Sequence, residues 1–130
     1  MIYQDCDFYI QKEPHDLPWV KIFTQTPYKE LSDMPDSAYN ELWLLVREVE
    51  KALRQYYAPD KINIASFANM LPRVHIHVIA RFKDDAFFPN SVWGEPLRQA
   101  NLELAPFEEF GKNLNKAVTM HRLNLKKDRK

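Results

Sequence analysis

His75 and His77 stand two residues apart in the run RVHIHVIARF, and Arg73 comes two residues earlier. Alternating Val74, Ile76 and Val78 mark this run as a β-strand, which the pattern predicts over residues 73–82. Side chains two apart on a strand share a face, so Arg73, His75 and His77 form one row, with the histidine Cα atoms about 6.7 Å apart. Imidazole suits phosphate chemistry near neutral pH. It is either neutral and nucleophilic at Nε2 or cationic and proton-donating. A covalent phosphoryl- or nucleotidyl-histidine divides one difficult displacement into two easier ones. The row could therefore supply a nucleophile, a partner and, in Arg73, a fixed positive charge.

Other uses of the pair stay open on spacing alone. H-I-H also fits a polar strand face exposed to water. It fits a zinc site as well, but only with a third ligand, for which His15, Asp84, Asp85 and His121 are the candidates if the fold brings them close. The chain lacks a dense cluster of Cys, His and carboxylates, and Arg81, Lys83 and Asp84 follow where a cupin would place a glutamate. No metal site is expected.

Composition narrows the class further. Lysine plus arginine equals aspartate plus glutamate at 18 each, so the basic excess of a nucleic-acid binder is missing and no nucleic-acid partner is expected. The two glycines, Gly94 and Gly111, cannot form G-x-G-x-x-G or G-x-x-x-x-G-K-S/T, so any phosphate must be held by side chains or non-glycine amides. Cys6 is the single cysteine, which points to a reducing compartment. The opening MIYQDCDFYIQKE does not read as a signal peptide. No apolar run reaches the roughly 18 residues of a membrane span. A soluble, cytoplasmic protein is the expectation.

The elements that must carry the row read strand, strand, helix, strand, strand, helix. Residues 6–12 and 19–24 are aromatic and β-branched, separated by the turn EPHDLP. Residues 25–35 are turn-rich. Asp36 or Ser37 is placed to cap a helix whose buried face is Leu42, Leu45, Val46, Val49, Leu53 and Tyr56. Glu41, Arg47, Glu48, Glu50, Lys51 and Arg54 fall on its outer face, and Ala58-Pro59-Asp60 ends it. Residues 61–68 alternate as a strand, joined to the histidine strand by a four-residue connection, 69–72. After the loop KDDAFFPNSVWGEP, Pro106 can open a last helix that buries Phe107, Phe110, Leu114, Ala117 and Val118. The tail NLKKDRK is a charge run expected to fray. Such an order gives an α+β architecture: an antiparallel sheet with helices packed on it. One domain is expected over 1–122, with a charged tail at 123–130.

The string LPRVHIHVIARF resembles the H-φ-H-φ-H-φ-φ signature of histidine triad (HIT) proteins, φ being apolar. The alignment puts Arg73 at the first histidine, His75 at the second and His77 at the third. The continuation RFKDDAFFPNSVWG is similar to that of a bacterial HIT subgroup, R-F-x-D-D…P…V-W-G, which also departs at the first triad position. In that subgroup a Trp follows Pro where other members have histidine, as Pro18-Trp19 does here. The resemblance spans roughly residues 5–94, with its specific motifs in 69–94.

The resemblance implies a HIT-like fold with about five antiparallel strands and two main helices. It implies a nucleotide hydrolase or nucleotidyl transferase acting on dinucleoside polyphosphates or nucleoside phosphoramidates. His75 would attack the α-phosphate, and His77 would hydrogen-bond phosphate oxygens or aid the leaving group. The backbone carbonyl of Arg73 would orient the nucleophilic ring, leaving its side chain free as a phosphate clamp. Asn69 and Asn63 lie near positions of phosphate-contacting amides. Asn69 also reads as a turn former and Asn63 as an exposed strand residue. No organic cofactor is implied, although a divalent cation can accompany the substrate. A homodimer formed by extending the sheet is expected. The altered first position keeps a non-catalytic nucleotide-binding protein as the alternative, with a metal-binding module behind it.

Trp93, Phe87 and Phe88 either line a nucleoside pocket or pack the loop onto the core or a subunit interface. His15 and His121 read as surface histidines, and Cys6 as a small buried residue.

Overall fold

The computed structural model describes residues 1–128. Five strands are formed by Tyr3–Gln4 (β1), Phe8–Lys12 (β2), Trp19–Thr24 (β3), Lys61–Ala65 (β4) and His75–Arg81 (β5). Two long helices, Asp36–Tyr57 (α1) and Phe107–Asp128 (α2), complete the α+β fold. All strand pairings are antiparallel, in the spatial order β1-β2-β3-β5-β4. The histidine strand is therefore internal. It lies opposite β3 with Phe23 facing His75, Lys21 facing His77 and Trp19 facing Ile79.

Strand alternation divides the sheet into two differently covered faces. Ile10, Val20, Ile22, Ile76 and Val78 form one, packed against Leu42, Leu45, Val49 and Leu53 of α1 and Phe110, Leu114 and Val118 of α2. These side chains are fully or almost fully buried, each contributing about 1.5–3 kcal/mol of transfer free energy. The opposite face carries Trp19 and Ile79 under Leu17 and Val92, with Phe82, Phe87 and Leu102 packed around them. The segment 83–105 covers this part of the sheet over Ile79, while the helices cover Ile76, Val78 and Ala80 from the other side.

Several local expectations change for identifiable reasons. The run at 6–12 begins its strand only at Phe8, because Asp5 turns the chain by accepting hydrogen bonds from the Asp7 and Phe8 amides. β1 then supplies the fifth strand. β4 stops at Ala65 rather than residue 68, and Ala68 sits at φ 54°, so residues 66–74 form a longer connection than four residues. Pro35, not Asp36 or Ser37, precedes the first turn of α1 and gives no side-chain cap; Asp36 instead puts its charge at the positive end of the helix. Ala58 closes α1 in the left-handed conformation, its N–H bonded to the Arg54 carbonyl.

The C-terminal run expected to fray from Asn124 is helical through Asp128, and residues 129–130 lie outside the described residues. Its preceding turn is anchored. Arg122 donates to Asp5 Oδ2 at 2.7 Å and Asp7 Oδ2 at 2.6 Å, and His121 Nε2 lies 2.7 Å from Glu41 Oε1. Glu41 is thus buried against α2 rather than on an outer face, and His121 is half-buried rather than a surface residue. Cys6 is exposed at the β1–β2 turn, not buried. Among the described residues no helix is long and apolar enough to cross a membrane.

Candidate active site

Where segment 83–105 stops covering the sheet, the row on β5 opens into a cleft of about 520 Å³. His75 and His77 form its floor with Lys21 and Phe23 of β3, and Trp93, Phe67, Asn69 and Met70 rise around it. Both imidazoles are more than nine-tenths covered, at 7% and 9% exposure, yet both line this opening and neither faces the helices.

The two rings are held in different states by what their Nδ1 atoms meet. His75 Nδ1 lies 2.9 Å from the carbonyl oxygen of Arg73. A carbonyl only accepts, so Nδ1 carries the proton and Nε2 of the neutral ring keeps its lone pair. The ring stacks on Phe23 at 5.0 Å and 17°, which limits its rotation. His77 Nδ1 instead accepts a hydrogen bond from Trp19 Nε1 at 3.0 Å. An indole N–H only donates, so neutral His77 carries its proton on Nε2. Burial, then the neighbouring His75 and Lys21, push His77 down to about 4, with Glu13 opposing in part. With both rings neutral, the site holds one imidazole tautomer that can attack and a second that can donate.

This pairing carries a pH prediction. A folded-state value near 4 against 6.5 for an unfolded histidine means that the unfolded chain gains the proton first, so acidification from 6.5 toward 4 costs stability. Trp19→Phe removes the indole donor, whose bond to Nδ1 favours the neutral ring. The His77 titration midpoint, followed by ring-proton NMR, is expected to move from about 4 toward 6.5. A midpoint still near 4 would reject the role given to the indole.

A model of the HIT domain family matches residues 2–84, more than half of the chain. The chain belongs to the HIT family. Among solved structures, a histidine triad protein from Bradyrhizobium japonicum is similar with a TM-score of 0.70 and 26% identity, over 92% of this chain and 87% of that one. One from Sinorhizobium meliloti matches with a TM-score of 0.70 and 25% identity, over 91% and 86%. A protein described as a hypothetical histidine triad nucleotide-binding protein from Sulfolobus tokodaii shares the fold, with a TM-score of 0.57 at 17% identity over 96% of this chain and 84% of that one. No curated protein matches the chain significantly.

Within this HIT fold the anticipated residues are not all gathered at one place. His75, His77 and Asn69 line the cleft. The Arg73 side chain does not. β5 begins only at His75, and the Arg73 guanidinium turns to the Thr24 and Gln25 carbonyls, over the rings of Tyr9 and Phe23. Its backbone carbonyl remains beneath His75. Asn63 is on the histidine face but farther along the sheet, where its Oδ1 accepts from Arg81 Nη1 at 2.8 Å.

Of the residues weighed as further metal ligands, Asp84 is exposed and the other three have other partners. Asp85 is paired with Arg81, His121 with Glu41, and His15 Nδ1 accepts from the Leu17 amide at 3.0 Å. Trp93 lines the cleft, in edge contact with His77 at 5.1 Å and Phe67 at 4.7 Å. Phe87 packs against the cluster under the loop, and Phe88 lies 5.7 Å from the Arg81 guanidinium.

Glu13, Lys21, Phe23 and Phe67 complete the site and were not anticipated from sequence. For Lys21 and Phe23 a signal exists. Trp19, Lys21 and Phe23 alternate with Val20 and Ile22, so a polar lysine is bracketed by aromatics on one face. Placing that face beside the histidines requires the β3–β5 register.

Proposed function

We propose that this protein is a HIT-type nucleotide hydrolase or nucleotidyl transferase acting at the α-phosphate of dinucleoside polyphosphates or nucleoside phosphoramidates through a nucleotidyl-histidine on His75. The observation that carries this reading is the bond from His75 Nδ1–H to the Arg73 carbonyl, which leaves Nε2 unprotonated on the floor of an open cleft. The description of the Sulfolobus tokodaii protein as nucleotide-binding is consistent with it.

In the first step Nε2 forms a bond to phosphorus while the bond from phosphorus to the leaving group breaks, its electron pair departing with that group. In the second, water attacks the same phosphorus, the N–P bond returns its pair to Nε2, and a nucleoside monophosphate leaves as the water proton passes to solvent. His77 donates a hydrogen bond from Nε2 to a phosphate oxygen; with Nδ1 taken by the indole it acts as a neutral donor. Asn69, exposed on the rim, can donate a further hydrogen bond through its amide. A divalent cation accompanies polyphosphate substrates without a dedicated protein site. The setting is cytoplasmic.

Homodimerisation belongs to the same proposal. The outer side of β4 pairs with no strand among the described residues and can extend the sheet into a second copy. Light scattering should give twice the chain mass; the single-chain mass would remove this part.

The central test is to quench reactions with diadenosine tetraphosphate and adenosine phosphoramidate in acid-free denaturant and map the protein by mass spectrometry. A nucleotidyl group on His75 is the expected result. Turnover with no histidine-linked nucleotide, or no turnover of either compound, would overturn the reading.

A further inference from the structure

Of the residues lining the cleft, only Lys21 and Glu13 carry formal charges apart from any charge on the imidazoles. Lys21 Nζ is 2.5 Å from Glu13 Oε2. An ordinary surface pair of this kind contributes little, about 0–1 kcal/mol. This pair differs in its setting: the side chains are only 19% and 29% exposed, and the ammonium lies 5.8 Å from the Phe23 ring on which His75 stacks. Lys21 is also directly opposite His77 on the neighbouring strand. Adjacent strands are about 4.8 Å apart, so Lys21 lies one strand over from His77 and lines the same cleft as the imidazoles that would hold the attacked phosphate.

Of the other cations near the row, Arg73 bonds to the Thr24 and Gln25 carbonyls, and Arg81 to Asp85 and Asn63. His77, with Nδ1 filled by the Trp19 indole, has no second proton to give an amine. The site therefore offers a cation to an anionic leaving group and little to a leaving group that must be protonated.

Resting on the nucleotide reading above, we propose that the Lys21–Glu13 pair is a displaceable salt bridge: Lys21 exchanges Glu13 for the phosphate next to the one attacked, and the pair thereby sets a preference for phosphate over amine leaving groups. Glu13 and the substrate anion thus compete for the same ammonium. A charge-assisted hydrogen bond of this type is strong enough to be read in affinity.

The two residues then have opposite effects, which a merely structural pair would not show. Calorimetric titration with AMP and ADP is the measurement. Lys21→Met is expected to weaken ADP binding by about tenfold or more while leaving AMP within about twofold. Lys21→Arg should retain most of the ADP affinity. Glu13→Gln should tighten ADP binding by about threefold or more, since it removes the competing charge and keeps the shape.

Equal losses for AMP and ADP in Lys21→Met, no loss for either, or weaker ADP binding in Glu13→Gln would overturn the proposal. A wild-type protein that binds neither nucleotide would instead strike the functional reading beneath it. Intact AMP binding with ADP affinity indifferent to Lys21 would strike this inference alone.

Discussion

His75→Ala is expected to lower turnover of a nucleotide substrate by roughly 10³–10⁵-fold, or about 4–7 kcal/mol of transition-state stabilisation, while AMP affinity changes only a few-fold. The split follows from the geometry. His75 is the imidazole in the cleft whose unprotonated nitrogen is set by a bond from its other nitrogen to a carbonyl. No second nucleophile can take over in place, because the remaining ring, His77, has its lone pair at Nδ1 occupied by the Trp19 indole. His77, Asn69 and the aromatic walls of the cleft are untouched by the truncation, so AMP binding should persist. Steady-state kinetics paired with calorimetry on the same preparation reads both quantities. Equal losses in affinity and turnover would make His75 a binding residue; undiminished turnover would remove it from the chemistry.

The second large effect concerns stability. Asp85→Asn is expected to cost about 3–5 kcal/mol near pH 7, because it leaves a buried guanidinium without its counter-charge. Arg81 and Asp85 are each 1% exposed. Arg81 Nε and Nη2 donate to the carboxylate at 2.8 and 3.1 Å, and the Phe82, Phe87 and Phe88 amides donate to it as well. Burial alone would raise this carboxyl, but the Arg81 guanidinium and the three amides outweigh it and hold it at about 2.

The sign of the pH dependence follows from that depression. The contribution is complete above the ordinary carboxylate value near 3.8 and is lost as pH falls from there through about 2. Urea unfolding should therefore show a wide gap between wild type and variant at pH 7 that narrows below pH 4. A gap that is small at pH 7, or independent of pH, would contradict the assignment. The same carboxylate folds back the chain that leads to Val92 and Trp93, so nucleotide affinity should drop in the variant even where it remains folded.

Much of this architecture can be read in the chain because it depends on periodicity. The amphipathic spacing of Leu42, Leu45, Val49 and Leu53 places α1 whatever it packs against, and alternation in 74–78 places the histidines opposite the core. Fine boundaries depend on partners distant in sequence. Arg73 looked like the first member of a polar row, but the Val74 amide bonds to the Tyr28 carbonyl and the strand starts one residue later. The Arg73 guanidinium then reaches the carbonyls at the end of β3, the reverse of the cleft-facing placement that simple alternation implies. Glu41 shows the same dependence: helical phase put it outward, and the arrival of His121 and Arg122 from the other end of the chain buried it.

Sequence alone determined the family signature, the α+β order and the identity of the two imidazoles, since each is carried by residues within a few positions of one another. Tertiary structure decided what those imidazoles are. The tautomer of His77 depends on Trp19, 58 residues earlier, and the charge beside it depends on a strand register that sets Lys21 opposite His77 and lets it meet Glu13. Protonation state is a property of surroundings: burial, donors and neighbouring charge act over a few ångströms of space, whatever the separation along the chain.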